Sequence, residues 1–205
     1  RLGRCCMLPV MRVMFGPQHP ITGQAALFVD FDGDLVVGVE PDVGYTHRGI
    51  EKLAENRTYL TFIPPLERVN IADGPNMVLG YVEAVEELMG VKVPERAQFI
   101  RVITAEMSRI ISHLYWLCLM SSTVGLETVI MWTVNDRELF LDLFEMYTGA
   151  RLTHSYMVPG GVRADLPEGF REKAFKTLDY LERRLKDYYR MLYENYTFRI
   201  RSIGV

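Results

Sequence analysis

The sequence predicts an α+β fold that is mainly α, with a small N-terminal β-hairpin element followed by a bundle of long helices. Three observations carry that expectation. The run "QAALFVDFDGDLVVGVE", Gln24 to Glu40, sets two β-rich segments around Asp32-Gly33, a strong short-range hairpin signal. After Pro94, Ile100, Ile103, Met107, Ile110, Leu114 and Leu117 recur at steps of three and four, one face of a helix. Ala174, Leu178, Leu181, Leu185, Tyr188 and Leu192 do the same near the C-terminal end.

Taken in order, residues 1–12 read as a tail and 13–45 as the hairpin element with its "GPQHP" loop. Residues 46–205 read as the helical bundle. A two-stranded hairpin is marginal alone, so it must gain a further strand or lie on something else. "EPDVGYTHRGIEKLAENRTYL", residues 40–60, places His47 and Arg48 at an expected helix start, where free N–H groups favour negative rather than positive charge. A second helix is expected from Asp73 to Met89, with Val78, Tyr81, Val85 and Leu88 aligned and Gly90 as its stop. Pro94 opens a long helix on which Glu106, Arg109 and His113 form a polar stripe beside the apolar one. "ETVIMWTVNDRELFLDLFEMYTG" gives another helix ending at Gly149. The capping box Asp165-x-x-Glu168 is expected to start the last. Short connections between such helices favour a bundle.

Composition narrows the function classes. The 205 residues are 49% hydrophobic and 24% charged, which suits a globular core. A net charge of −3 provides no basic footprint, so no nucleic-acid partner is expected. Cys5, Cys6 and Cys118 form neither a disulfide framework nor a C-x-x-C pair, and no His/Cys cluster has metal spacing. The longest apolar run, residues 114–132, is broken by serines, threonines, a glycine and Glu127, so no transmembrane helix is expected. From the residues alone, His19 in the proline-flanked "FGPQHP" is either a polar ligand-binding group or a loop histidine satisfied by backbone. Tyr81 on its apolar face reads as a core aromatic whose hydroxyl finds a partner, and His113 as a stripe residue paired with Arg109 or Glu106.

"FGPQHP", "GYTHRGIEKL", "VPERAQFIRVITAEMSRIISHL" and "PGGVRADLP", in this order, closely resemble the large-subunit superfamily shared by [NiFe] hydrogenases and the quinone-site D subunit of respiratory complex I. The resemblance runs from about Val13 onward and corresponds to that family's N-terminal half. It implies a C-terminal half as a partner segment, an iron–sulfur small subunit holding a [4Fe–4S] cluster, and further peripheral and antiporter-like membrane subunits. The location it implies is the cytoplasmic side of a membrane, reached through those partners. By the same match Arg48 would lie near the partner-held cluster, where a fixed cation raises its potential, and Glu51 matches the family's proton-transfer glutamate.

Departures from the pattern sharpen the reading. The positions of the first nickel-binding cysteine pair hold Asn70 and Asp73, and oxygen ligands do not replace soft thiolates, so the resemblance is not to a nickel hydrogenase and no metal is expected. The complex I branch uses the vacated cavity for a quinone headgroup between a loop His and a Tyr, here matched with His19 and Tyr81. The second loop histidine of that branch is replaced around Thr22 and Gly23. In "GARLTHSY" the histidine coupled to the cluster's redox state matches Thr153, with His154 one position later. These differences point to a divergent, archaeal-type member such as the membrane-bound sulfane sulfur reductases. The expectation is therefore an electron-transferring large-subunit portion with His19, Tyr81, Glu51 and Asp73 as catalytic candidates and Arg48, Asn70 and His154 as cofactor-facing ones. Its acceptor would be a quinone, with sulfane sulfur as the alternative; a non-catalytic assembly subunit is the third reading.

Overall fold

A computed structural model describes residues 10–18 and 24–204. By internal contacts it divides into two compact units, Arg1–Gly49 and Ile50–Val205.

The first unit is a three-stranded antiparallel sheet, β1 (Met11–Phe15), β2 (Ala26–Asp32) and β3 (Leu35–Asp42), in sequence order. The expected hairpin is β2–β3, which reverses at Gly33 with φ 63°, a conformation that glycine adopts without a Cβ clash. It gains the third strand that a hairpin needs, because β1 pairs along β2 from Met11↔Phe31 to Phe15↔Leu27. Among the described residues of this unit, Ala26 and Val29 are the buried ones. Arg12 on β1 reaches across to Asp30 at 2.7 Å and Glu40 at 3.1 Å, a cross-strand charge cluster on the open face.

The second unit contains seven helices among the described residues: α1 (Ile50–Glu55), α2 (Tyr59–Glu67), α3 (Gly74–Met89), α4 (Glu95–Val124), α5 (Glu127–Thr148), α6 (Phe170–Leu192) and α7 (Tyr196–Ser202). A small hairpin, β4 (Met157–Val158) with β5 (Gly161–Val162), lies between α5 and α6. Gly90, Gly125 and Gly149 stop α3, α4 and α5 in the left-handed conformation, as C-terminal glycines do. The core is built where α4 and α5 pack on each other and on α3 and α6, around Val82, Ile111, Val129, Phe140, Leu143 and Phe144. Among the described residues, no helix is long and apolar enough to cross a membrane.

Three sequence expectations change here. α1 begins at Ile50, after Gly49, so His47 and Arg48 precede the helix and its first turn carries Glu51, the sign the helix dipole favours. The last long helix begins at Phe170, not at the expected capping box. Asp165 instead accepts the Leu166 N–H at 2.7 Å and pairs with Arg96 at 2.8 Å. The single apolar faces expected of α4 and α6 are split, because Ile103, Leu178 and Leu185 are exposed while Ile100, Leu181 and Tyr188 are buried.

Candidate functional site

α2 runs through Pro64 and Pro65 and ends at Glu67, from which a short turn leads to Asp73 and the start of α3. The turn is tight because residue 74 is glycine: a Cβ there would lie 2.7 Å from both Cγ and the carbonyl oxygen of Glu67. Glu67 is thereby held at 3% exposure. A buried carboxylate must be satisfied by donors, and the loop after α5 supplies them. Oε1 of Glu67 accepts the His154 backbone N–H at 2.8 Å, and Oε2 accepts the Ser155 N–H at 2.7 Å and its hydroxyl at 3.3 Å. Nδ1 of His154 lies 3.2 Å from the same Oε1.

The imidazole of His154 is enclosed as tightly, with its side chain 6% exposed and stacked on Phe144 at 4.4 Å between ring centroids. Its other nitrogen, Nε2, is 3.2 Å from the carbonyl oxygen of Arg151. Both ring nitrogens thus face acceptors. A neutral imidazole has one N–H and donates to one of them; only the doubly protonated ring donates to both. The loop is strained around this contact. Thr153 and Ser155 adopt φ of 52° and 45°, in the left-handed region that side chains with a Cβ disfavour and that recurs at functional sites. Burial pushes the Glu67 carboxyl up, but the His154 ring and the two backbone N–H groups outweigh it and hold the carboxyl below its ordinary value.

Asp73 extends the cluster. It precedes the first turn of α3 without capping it; its Oδ1 accepts instead from Asn76 at 2.6 Å and from the Ser108 hydroxyl of α4 at 2.7 Å. Asn76 also donates to the Ala105 carbonyl at 3.1 Å, which ties the start of α3 to α4. The 67–76 segment, α4 and the 154–155 loop therefore converge on a patch of ionisable and hydrogen-bonding groups.

The other expected residues are placed elsewhere. Asn70 is exposed and accepts the Ala72 N–H at 3.2 Å, an Asx-type turn bond. Tyr81 lies two turns along α3, roughly 12 Å from Asp73 at 1.5 Å per residue. Its hydroxyl donates to the Tyr59 carbonyl at 3.1 Å and its ring meets Phe62 edge-on at 5.7 Å, which is the core-aromatic reading rather than convergence on Asp73. Glu51 is exposed on α1, and Arg48 is exposed in the first unit. His19, Thr22 and Gly23 lie outside the described residues, as do Cys5 and Cys6. His113 is exposed, and Arg109 pairs with Glu106 at 2.9 Å. Among the described residues no group of three or more His, Cys, Asp or Glu could hold a metal ion, and the one free thiol is Cys118. Glu67 was missed from the sequence; nothing in "LERVN" distinguishes a buried glutamate from a surface one.

The motif "PGGV" is used structurally. Arg101 and Glu86, both nearly fully buried, pair at 2.6 Å. Arg101 also donates to the carbonyls of Val158 and Gly161, while Glu86 accepts the Gly160 N–H at 2.7 Å. The β4–β5 turn is pinned to α3 and α4 by that pair, and with it the exit of the 153–155 loop.

Comparison with known proteins places these observations. The sequence pattern of the family described as respiratory-chain NADH dehydrogenase, 49 Kd subunit, matches residues 123–205. The D subunit of an NADH-quinone oxidoreductase from Carboxydothermus hydrogenoformans is 54% identical over 160 residues, 78% of this chain and 44% of that protein. Its counterpart from Desulforamulus reducens is 47% identical over 191 residues, 93% of this chain and 52% of its own length. The D subunit of the F(420)H(2) dehydrogenase of Methanosarcina mazei is 43% identical over 196 residues, 95% and 52%. Among solved structures, a chain of the membrane-bound sulfane sulfur reductase, an archaeal respiratory membrane complex, matches with a TM-score of 0.91 and 39% identity. That match covers 96% of this chain and 53% of the other. This chain thus spans about half the length of the relatives it matches. Over nearly its whole extent the chain is thus similar to about half of the D subunit of these respiratory complexes, and residues 123–205 match the family of the respiratory-chain NADH dehydrogenase 49 Kd subunit.

Proposed function

We propose that this chain is the catalytic large-subunit portion of a membrane-associated, complex I-like oxidoreductase. It receives electrons from a [4Fe–4S] cluster held by an iron–sulfur partner subunit and passes them to a quinone-type acceptor. The observation that carries the reading is 47% identity, over 93% of the chain, to the D subunit of an NADH-quinone oxidoreductase. A cluster of this kind takes four thiolates, and Cys118 is the one described thiol, so these residues do not fit the cluster themselves. Attachment to the membrane, and the side on which the chain sits, fall to partners.

Reducing a quinone to a quinol takes two electrons and adds one proton to each oxygen. On this reading the chain's share is the proton side. Asp73, held by Asn76 and Ser108, is the candidate proton relay beside the acceptor, Glu51 is the exposed relay toward solvent, and the Glu67 carboxylate, held in its charged form, fixes the His154 loop. Arg48 acts electrostatically as a fixed cation toward the partner's cluster. Arg48→Met is expected to lower the cluster's midpoint potential by roughly 40 mV, which is about 1 kcal/mol for a one-electron couple. An unchanged potential on redox titration would remove Arg48 from the cluster's vicinity.

Sulfane sulfur is the second reading, favoured by the 0.91 TM-score to a chain of a sulfane sulfur reductase. There two electrons break an S–S bond and leave two sulfur anions, with less demand for protons at the acceptor. The test is to purify the native assembly from its own membranes through a tag on this chain and assay it with a short-chain quinone and with polysulfide. Partner subunits with iron–sulfur clusters and quinone turnover support the first reading, and polysulfide turnover without quinone turnover supports the second. Recovery of the chain alone, or with soluble partners lacking clusters, refutes both.

A further inference from the structure

Arg137 on α5 carries the one side-chain nitrogen or oxygen among the described residues that is buried without a hydrogen-bond partner, its Nε. The side chain is 20% exposed, and its guanidinium lies over the Tyr115 ring of α4 at 5.9 Å. That ring stabilises the cation through its face but accepts no N–H bond at this distance. Nη1 of Arg137 is 3.9 Å from Oε1 of Glu138, beyond hydrogen-bond reach, and the Glu138 carboxylate is already paired with Arg151. Asp136, the residue before Arg137, is taken by Tyr180, Arg184 and Tyr188 of α6. Around the guanidinium the surface is apolar. Tyr115 and Leu119 of α4, and Val134 one turn before Arg137, are 42%, 46% and 43% exposed.

A buried N–H left without an acceptor costs free energy, and native proteins almost always supply one. The chemistry of the acceptor follows from the donor. A guanidinium presents Nε–H and an Nη2–H side by side along one edge, at the spacing of the two oxygens of a carboxylate. With Nη1 on the side of Glu138, that edge is the one left open. A carboxylate on it makes two parallel charge-assisted bonds. A single water would satisfy Nε but leave Tyr115, Leu119 and Val134 facing solvent. An Arg and a Tyr at a desolvated centre with an apolar rim is the composition in which the energy of protein–protein contacts concentrates.

We propose that Arg137 is the anchor of a protein–protein contact on the α4–α5 face, and that its occupant is an Asp or Glu side chain of another subunit in the native assembly. The carboxylate engages Nε and Nη2 side-on, and the residues beside it cover Tyr115, Leu119 and Val134. The contact rests on the chain working beside other subunits and not on which acceptor is reduced.

The experiment uses the native assembly purified through a tag on this chain, with p-benzoylphenylalanine at position 134. Photolysis is expected to join that position to a segment of another subunit that contains an Asp or Glu. Arg137→Met, which keeps the length of the side chain without its donors, is expected to speed dissociation of the subunit so identified at least tenfold. Replacing the identified carboxylate by its amide is expected to do the same, and the two changes together to be no worse than either alone. Arg137→Lys keeps the charge without the fork and is expected to recover only part of the lost lifetime. If Arg137→Met does not assemble, Arg137→Lys and the amide variant complete the same cycle. A cross-link within this polypeptide, to a second copy of it or to a segment without a carboxylate overturns the proposal. So does an unchanged dissociation rate, or effects of the two changes that multiply as those of independent sites do. Recovery of the chain without partners refutes the assembly and this contact together. A position 134 that gives no cross-link in an assembly that keeps its subunits refutes this contact alone.

Discussion

Glu67 holds two backbone N–H groups and one imidazole in a place water does not reach, so its charge matters more than its volume. Glu67→Gln keeps the shape but turns an amide N–H toward a backbone N–H that needs an acceptor. It is expected to cost about 1–3 kcal/mol, read as a lower urea midpoint, with faster amide exchange at His154 and Ser155. The pH dependence has a fixed sign. The carboxyl's folded value lies below its ordinary 4.5, so its contribution is complete above that value and is lost as pH falls through the folded one. The stability gap between wild type and Glu67→Gln should therefore be full at pH 7 and close on acidification below the ordinary 4.5. A gap that persists unchanged there would show that the carboxylate is not what holds the loop. Tyr81→Phe is the contrasting case. It removes one bond to the Tyr59 carbonyl, and the expected cost is about 0.5–1.5 kcal/mol with acceptor turnover unaltered. Turnover that falls while assembly and cluster content stay intact would return Tyr81 to the acceptor site.

At the scale of elements, the Glu86–Arg101 pair joins α3 and α4 to the β4–β5 turn. Removing one partner leaves the other buried and unpaired, and Arg101→Met is expected to cost about 3–5 kcal/mol. Native-state exchange should show the Gly160 amide opening first, since it depends on Glu86 staying in place. Loss of stability without early opening at Gly160 would mean that the pair supports the helices and not the turn. These elements also show what the sequence could reveal. The glycines at positions 90 and 149 mark the ends of α3 and α5 and the three-and-four spacing after Pro94 marks α4, because helix stops and helical periodicity are local. The roles of Ile103, Leu178 and Leu185 were not legible. Periodicity reports that a face is apolar and says nothing about what covers it, so one expected core face on α6 became two stripes with different fates. α1, α2 and the β4–β5 turn are short, and their order comes from long-range contacts such as Arg101 to Gly161. The site had the same limit: His154 and Asp73 are singled out by their match to the family's motifs. Glu67 could not be, because its burial depends on Gly74 and on a loop 87 residues away.

Across the whole molecule, the two units differ in how they are stabilised. The first is a three-stranded sheet with Ala26 and Val29 buried and Leu35, Val36, Val37 and Val39 exposed, close to the lower limit for an independent sheet. The main hydrophobic cluster, from Ile63 to Leu192, lies entirely within the second unit, and so do the Glu67–His154, Glu86–Arg101 and Asp136–Tyr188 contacts. In the last of these, Asp136 is 1% exposed and accepts from Tyr188 at 2.5 Å, Tyr180 at 3.0 Å and Arg184 at 3.0 Å, which fixes α6 on α5. A fragment of residues 50–205 is therefore expected to fold alone, with a single cooperative thermal transition and a helical far-ultraviolet spectrum. It is expected to keep slow amide exchange in α4 and α5. The reciprocal fragment, residues 1–49, is expected to give no cooperative transition, because burying two small side chains among its described residues does not offset the entropy of ordering its strands. A broad, non-cooperative melt of 50–205 would show that the helical unit depends on the sheet for its stability. A sharp one would establish that the Glu67–His154 site stands on the helical unit alone.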